Sequence, residues 1–426
     1  MCREMKDSGI EWIGEINNEW SIVKIAKLAQ FINGYAFNGE DLTIENEIPV
    51  IRIGDIQEGG VNLEGCLKYK KDKRLYNYSI QSKDVLIAMS GATTGKTAFI
   101  NEVDSVAYIN QRVGIIRNSK YSKYINYSLN TGEFKKYIDL LADGSAQPNI
   151  STKGIMNYYL ALPNRGLDNI INYLDGKVSQ INNVISKQKS LIEKYKAYKQ
   201  SLITETVTKG LNKNVHMKDS GIEWIGKIPN HWTVCRMKNI GESIIGLTYS
   251  PDDVSDNGIL VLRSSNVQNG EIVYGDDVFV NKNISEKLTT KIGDILICSR
   301  NGSRALIGKC AYIDEVSAGK SFGAFMTVFR SEYNRFIYYI LNSAIFKFHI
   351  GTFLTSTINQ LTTSNLSGIR ITLPPKDEQQ EIVNLLDRKC NVIDSSISKK
   401  EQLIEKLESY KKSLIYECVT GKREGN

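Results

Sequence analysis

Apolar residues recur at three- and four-residue steps along two long stretches of this chain. In the first, Leu174, Val178, Ile181, Ile185, Ile192, Tyr195 and Tyr198 share one face, with Gln188 filling the remaining step. In the second, Leu386, Cys390, Ile393, Ile397, Ile404, Leu407 and Tyr410 do the same, with Lys400 in the equivalent place. The spacing is heptad-like and free of Pro, with Gly176 near the start of the first stretch. Each stretch predicts a helix of about 39 residues, roughly 58 Å at 1.5 Å per residue. Prolines just upstream, Pro163 and Pro374-Pro375, mark where each begins. A helix with one long apolar stripe must bury it. Packing each helix only on its neighbouring domain leaves the stripe too long to cover. Two equal helices packed as an antiparallel coiled coil, related by a pseudo-two-fold axis, cover it.

Between these helices the pattern changes period. Short β-type runs such as Pro49-Val-Ile-Arg-Ile, Asp84-Val-Leu-Ile-Ala, Gly258-Ile-Leu-Val-Leu and Asp294-Ile-Leu-Ile-Cys are punctuated by Gly, Asn, Asp and Ser. Helical spacing returns over Tyr121 to Leu141 and Tyr333 to Phe348. The expected fold class is mixed α/β: two globular domains with β-rich cores, separated by the two long helices.

The borders of these regions repeat. Met5 to Trp20 (MKDSGIEWIGEINNEW) and Met217 to Trp232 (MKDSGIEWIGKIPNHW) agree at 13 of 16 positions, 212 residues apart. At the same offset, Leu191 to Thr208 and Leu403 to Thr420 agree at 12 of 18 positions. The inserts between are nearly unrelated. The predicted order is a frame segment at 1–20, an insert at 21–163 and a helix at 164–212, then a frame at 213–232, an insert at 233–375 and a helix at 376–426. A duplicated frame around divergent inserts implies one scaffold, two equivalent docking surfaces and two different readers.

Composition narrows the class. A chain of 426 residues with 41% hydrophobic content can bury a core in each half. Its seven cysteines form no C-x-x-C pair, and three histidines are too few and too dispersed for a zinc site. Free thiols in a reducing compartment, and hence a cytoplasmic location, are expected. The charged start MCREMKDSGIEW lacks the apolar core of a signal peptide, and no run of about eighteen apolar residues predicts a membrane span. The net charge of +7 is mild and does not by itself imply nucleic-acid binding.

Catalytic motifs are largely missing. Ser90-Gly-Ala-Thr-Thr-Gly-Lys-Thr ends like a phosphate-binding loop, but Gly91 and Gly95 enclose only Ala92, Thr93 and Thr94, one residue short. The next stretch, AFINEVDSVAYIN, reads as strand where such a loop opens a helix, so a polar hairpin tip is expected. Ser299-Arg-Asn-Gly-Ser-Arg occupies the matching place in the second half, and both loops end in a Gly-Lys pair. G-x-G-x-x-G, G-x-S-x-G and H-E-x-x-H are absent. A binding protein is favoured over an enzyme. Two rivals stay open: a nucleotide hydrolase built on Gly91 to Thr97, and a coiled-coil scaffold with two peptide- or RNA-binding heads.

The polar loops carry the nucleic-acid signal. Lys68, Lys70, Lys71, Lys73 and Arg74 form a basic run around Tyr69, suited to phosphate contacts that position rather than specify. The second half has an acidic Gly275-Asp-Asp in that region. Three loops pair between the halves: Arg52 to Gln57 with Arg263 to Gln268, Ser90 to Lys96 with Arg300 to Lys309, and Ser145 to Ser151 with Ser356 to Thr362. Their polar side chains are of the kinds that bond base edges. The candidates there are Thr93, Thr94, Lys96, Gln147 and Asn149, then Ser264, Ser265, Asn266, Arg300, Asn301, Arg304, Lys309, Asn359 and Gln360. Shared positions such as Arg52 and Arg263 read as framework. Unmatched ones such as Thr93, Thr94, Arg300 and Arg304 read as readout.

The doubled K-D-S-G-I-E-W-I-G frame, the Leu373-Pro-Pro-Lys-Asp-Glu-Gln-Gln-Glu-Ile segment and the S-L-I-x-E-x-V-T helix ends resemble the specificity subunits of bacterial and archaeal type I restriction–modification enzymes. The resemblance covers essentially the whole chain. It implies a non-catalytic reader of double-stranded DNA whose two inserts are target-recognition domains for a split, gapped site, with the helices as ruler. It also implies two methyltransferase subunits docked on the frames, joined by two restriction subunits. S-adenosylmethionine, ATP and Mg are expected in those partners, with no cofactor or metal in this chain. One departure is visible: Leu162-Pro-Asn-Arg-Gly-Leu-Asp lacks the Glu-Gln pair of the second half, so the first helix should start differently.

Overall fold

The computed structural model describes residues 4–57, 59–141, 149–353 and 359–424. The chain divides into two compact units, Met1–Gln188 with Glu401–Asn426 (unit 1) and Lys189–Lys400 (unit 2). The division falls inside both long helices, Leu167–Lys209 and Lys376–Val419. Each unit therefore holds one insert, the front half of the helix that follows it and the back half of the other helix.

The inserts share a topology that their sequences hide. In unit 1 an antiparallel sheet runs in the order Thr97–Phe99, Val85–Ala88, Val113–Arg117, Gln30–Asn33. In unit 2 the order Cys310–Tyr312, Ile295–Cys298, Met326–Arg330, Glu242–Ile245 is the same. The central strand Val85–Ala88 is buried at every position because both faces are covered. Val85 and Ile87 point into a helix-side core with Phe134 and Ile138, while Leu86 and Ala88 alternate to the other face with Ile51 and Ile109. Ile295 and Ile297 against Leu296 and Cys298 repeat this in unit 2. A second small sheet completes each insert: Tyr108–Ile109 lies parallel to Ile48–Ile51, and Ser321–Phe322 parallel to Ile259–Leu262.

An ion pair closes each main sheet. Asp84, fully buried, receives Arg117 through two bonds of 2.7 Å, and the same guanidinium donates to the Ser79 carbonyl. Asp294 and Arg330 do this in unit 2, with the Thr289 carbonyl as third acceptor. A bidentate pair with a further carbonyl acceptor is a form in which buried charge is tolerated.

The predicted helix at Tyr121 to Leu141 is two helices, Ser122–Leu129 and Gly132–Leu141, and Tyr333 to Phe348 likewise splits into Asn334–Leu341 and Ala344–Phe353. The breaks carry their own caps. Thr131 Oγ1 accepts from the Phe134 amide, and Ser343 Oγ from the Phe346 amide.

Each long helix first packs on its own insert and then on the other helix. In unit 1, Ile170, Ile171 and Leu174 join a core with Tyr124, Tyr127 and Ala161, and with Leu414, Ile415 and Val419 of the second helix. Tyr127 donates to Asp175 at 2.6 Å and Lys123 pairs with it. Tyr339, Arg335 and Asp387 form the equivalent clamp in unit 2. Own-insert packing thus takes the front of the stripe, more than its periodicity indicated. Further along, Ile181 and Ile185 share that core with Ile404 and Leu407, and Lys411 donates to Asn182. Within unit 2, Lys199 pairs with Asp394 while Lys400 lies over Tyr195, so the helices run antiparallel.

The frame segments receive the helix ends. Asp7 and Ser8 accept from the Gly9 and Ile10 amides to turn the first hairpin, and Asp219 and Ser220 do so at Gly221 and Ile222. The helices terminate at Gly210 and Gly421, at φ +71° and +74°. A Cβ on Gly421 would lie 2.6 Å from that of Asn17 and 2.9 Å from the Trp20 ring, so glycine lets the helix end meet its tryptophan. The second helix begins at Lys376, and its first-turn Glu378 accepts from Trp232 and faces His231 at 2.7 Å. The first helix starts three residues later in the repeat, at Leu167, and Asn164 donates instead to the Glu19 carbonyl.

Candidate nucleic-acid interface

In unit 1 the segment Ser90 to Lys96 is a hairpin tip. A single turn at Gly91–Thr93 is followed by strand Thr97–Phe99, antiparallel to Val85–Ala88. No helix opens after Gly95, so the consecutive amides that wrap a phosphate are missing. Thr94 donates to the Gly91 carbonyl, Thr93 turns its hydroxyl inward, and Lys96 is exposed. Asn149 bridges to Ser90 through the backbone, which brings two of the predicted loops together; Gln147 lies outside the described residues. Beside them a groove of about 480 Å³ opens between Ser90, Asn149, Gln111 and Arg112.

The basic run sits at the second sheet of unit 1. Lys68 lies on strand Lys68–Tyr69, paired with Ile48–Ile51, while Lys70, Lys71, Lys73 and Arg74 are exposed on the following turn. Arg74 makes three bonds to Asp72, which hold the Asp72 carboxyl down to about 2. The paired arginine stays exposed, as do Lys70, Lys71 and Lys73. Rings connect the run to the groove: Tyr69 packs on Phe37, Phe37 on Tyr35, and Tyr35 bridges to Asn110 next to Gln111.

In unit 2 the three predicted loops converge. Asn301 donates to Ser264 Oγ at 2.8 Å, Lys309 Nζ donates to the carbonyls of Ser264 and Val267, and Arg300 bridges to Gln360. Asn266 is used up in holding this arrangement, and Lys309 is partly committed to it. Asn266 is 1% exposed; its side chain accepts from the Arg263 amide and donates to Val273 and Asp277. Lys309 is half-buried and spends two of its three ammonium donors on those carbonyls, which leaves one. Asn266, buried with its amide donors and acceptor engaged, has nothing left to offer a base. Arg263 is also framework, bonded to Asp276 through side chain and carbonyl. Ser265, Arg300, Arg304, Asn359 and Gln360 lie at the surface, and Arg304 donates to the Gly351 carbonyl.

The sequence reading missed the turn before the last sheet strand: Gln111 and Arg112 in unit 1, and Phe325 in unit 2. The signal was available. Aligning the inserts on Asp84…Arg117 and Asp294…Arg330 sets Arg112 opposite Phe325 at the mouth of the polar loops. Among the described residues, no three His, Cys, Asp or Glu side chains gather as metal ligands, and no helix is long and apolar enough to cross a membrane.

Two segments, 17–194 and 229–408, match the family described as type I restriction modification DNA specificity domain. The chain is 29% identical to the EcoKI specificity subunit of Escherichia coli K12 over 208 residues, 46% of this chain and 44% of that protein. That match spans less than half the relative. A longer one, at 24% identity, joins 96% of this chain to 93% of the MjaVIII specificity subunit of Methanocaldococcus jannaschii. A chain solved in work on assembly and conformational transition of the type I R-M system superposes with a TM-score of 0.69 over 96% of this chain and 99% of its own, at 13% identity. At that identity the likeness concerns the fold.

Proposed function

This chain belongs to the family of type I restriction–modification DNA specificity proteins, and on that premise we propose that it reads a two-part, gapped DNA site for a methyltransferase. The observation that carries this is the repeated scaffold with exchanged loops. Three polar loops converge at one end of the unit 2 sheet, the Ser90 and Asn149 loops meet at the corresponding end in unit 1, and the residues at the mouth differ. Each insert reads one half-site. Phosphate contacts from Lys70, Lys71, Lys73 and Arg74 position unit 1, and Lys96, Thr94, Asn149, Ser264, Ser265, Arg300, Asn301, Arg304, Lys309, Asn359 and Gln360 supply candidate contacts at the tips.

The chain serves as reader, and chemistry resides in its partners. Two methyltransferase subunits dock on the two frames, bringing S-adenosylmethionine and adenine methylation. Two restriction subunits bring ATP, Mg and cleavage. The complex works on cytoplasmic DNA, and the long helices set the gap.

The test is a methylome. The chain is co-expressed with its methyltransferase subunit in a host lacking adenine methylation, and N6-methyladenine is mapped by long-read sequencing. A two-part motif with a fixed gap is expected. Insertions within Val178 to Ser190 should change the gap and leave both half-sites intact. A soluble assembled complex that methylates nothing, or an insertion that alters the bases read, would overturn this reading.

A further inference from the structure

The two inserts hold one turn with the same backbone bonds and present different side chains on it. In unit 1 the Arg112 carbonyl accepts from the Met89 amide, and the Ile150 amide donates to the Met89 carbonyl, each at 2.9 Å. In unit 2 the Phe325 carbonyl accepts from Ser299 at 3.0 Å, and Leu361 donates to the Ser299 carbonyl at 2.7 Å. The bridges Ser90 to Asn149 and Arg300 to Gln360 complete both arrangements. Ser90, Arg112 and Asn149 thus stand where unit 2 has Arg300, Phe325 and Gln360.

The exchange changes the chemistry of the mouth. Arg112 is exposed beside a polar groove, and its side chain has no partner among the described residues. Phe325 is 56% exposed, with the Arg300 guanidinium 5.0 Å from its ring centre. A phenyl ring left in water adds little to folding. Here it leaves an apolar face at the loop mouth and holds a cation against it, so both groups meet a ligand partly ordered. In the major groove the apolar feature is the thymine methyl, and guanidinium donors suit the acceptors of a neighbouring guanine or phosphate.

We propose that Phe325 is a specificity-determining residue of unit 2 that packs on a thymine methyl, with Arg300 oriented by its ring to bond the adjacent nucleotide. Unit 1 presents a guanidinium, Arg112, on the same turn and reads through hydrogen bonds. The inference rests on the DNA-reading function above and assigns atoms to it.

The test uses the full chain assembled with its methyltransferase subunits and a duplex carrying the methylated motif. Phe325→Ala should weaken binding about 5- to 150-fold, the range of a lost base contact. Replacing one thymine of a single half-site by deoxyuridine, which removes only the methyl, should weaken the wild type about 4-fold, the worth of one buried methyl, and leave Phe325→Ala unchanged. Arg112→Gln should affect the other half-site. The salt dependence of binding should be unchanged by Phe325→Ala. Phe325→Leu, which keeps an apolar group, replaces the alanine variant should that one fail to fold, and is expected to retain part of the thymine preference. A wild-type motif read unchanged by a folded Phe325 variant overturns this assignment alone, as does equal weakening toward every sequence. Failure of the wild-type complex to methylate a two-part motif overturns the parent reading.

Discussion

The first tryptophans of the two frames meet different partners on the same helix position. In unit 1, Trp12 packs on Tyr137 with ring centres 4.8 Å apart, and Tyr158 lies beyond. In unit 2, Trp224 stacks on His349 at 4.5 Å, and Phe353 lies against the imidazole. Phe134 and Ile138 on that helix of unit 1, and Phe346 and Ile350 on that of unit 2, are buried in the same pattern. A flat ring is needed against the indole, and its chemistry is free to vary. At the sheet end the reverse holds. Asp84 with Arg117 and Asp294 with Arg330 are the same two residue types, because a buried charge tolerates only a partner of matching geometry. Unrelated inserts can thus build one fold when the few positions that require particular atoms are kept.

The strongest way to break this equivalence is to remove one of those atoms. Asp84→Ala leaves the half-buried Arg117 guanidinium without its partner, at a cost of about 2–4 kcal/mol, below that of a fully buried charge because water reaches part of the arginine. The loss should be confined to unit 1, and Asp294→Ala should confine it to unit 2. Hydrogen exchange resolved by segment would show protection falling in strands 85–88 and 113–117 for the first variant, and in 295–298 and 326–330 for the second. Equal loss in both units from either variant would contradict the independence of the two cores.

Much of this was legible in the sequence, for identifiable reasons. The long helices announce themselves because a stripe at three- and four-residue steps has one structural meaning over such lengths. The frames were visible as repeats, and their Asp-Ser-Gly turns have a local cause. The hairpin tip at Ser90 was recoverable because the glycine spacing rules out a phosphate loop. The break at Asn130–Thr131 was hidden, since both flanking helices keep apolar residues in register and only the caps divide them. The site was legible as loops and not as side chains. Asn266 and Ser265 are neighbours of similar polarity, and only the fold shows that one faces the interior and the other water. Phe325 went unnoticed because a lone aromatic before a strand reads as core.

A smaller effect separates the two helix ends. Gly210 and Gly421 both need the left-handed backbone that costs other residues about 1–2 kcal/mol. At Gly210 a Cβ would meet the Glu378 carboxylate and lie 3.2 Å from Trp232, and the carboxylate can move aside. At Gly421 it would strike the Asn17 Cβ and the Trp20 ring, which cannot. Gly421→Ala should therefore cost about 1–3 kcal/mol more than Gly210→Ala, the usual range for overpacking. Chemical denaturation of both variants checks this, and equal costs would mean that the Trp20 contact yields.

The smallest effect is one of pH, and it arises from the ring exchange at the frames. Burial against Trp224 lowers the His349 pKa below its ordinary 6.5. A base whose folded value is depressed favours the neutral ring, so its contribution is present above 6.5 and is lost as pH falls through the lower folded value. Tyr137, in the same place in unit 1, is neutral throughout that range, and burial raises its pKa further. Acid should therefore loosen the hairpin at 217–229 before the one at 5–17. Segment-resolved hydrogen exchange below pH 6.5 would register the difference, and His349→Tyr should remove it by giving unit 2 the ring that unit 1 already carries. If the two hairpins lose protection together in the wild type, the imidazole is not what distinguishes them, and the stacked ring serves both frames by shape alone.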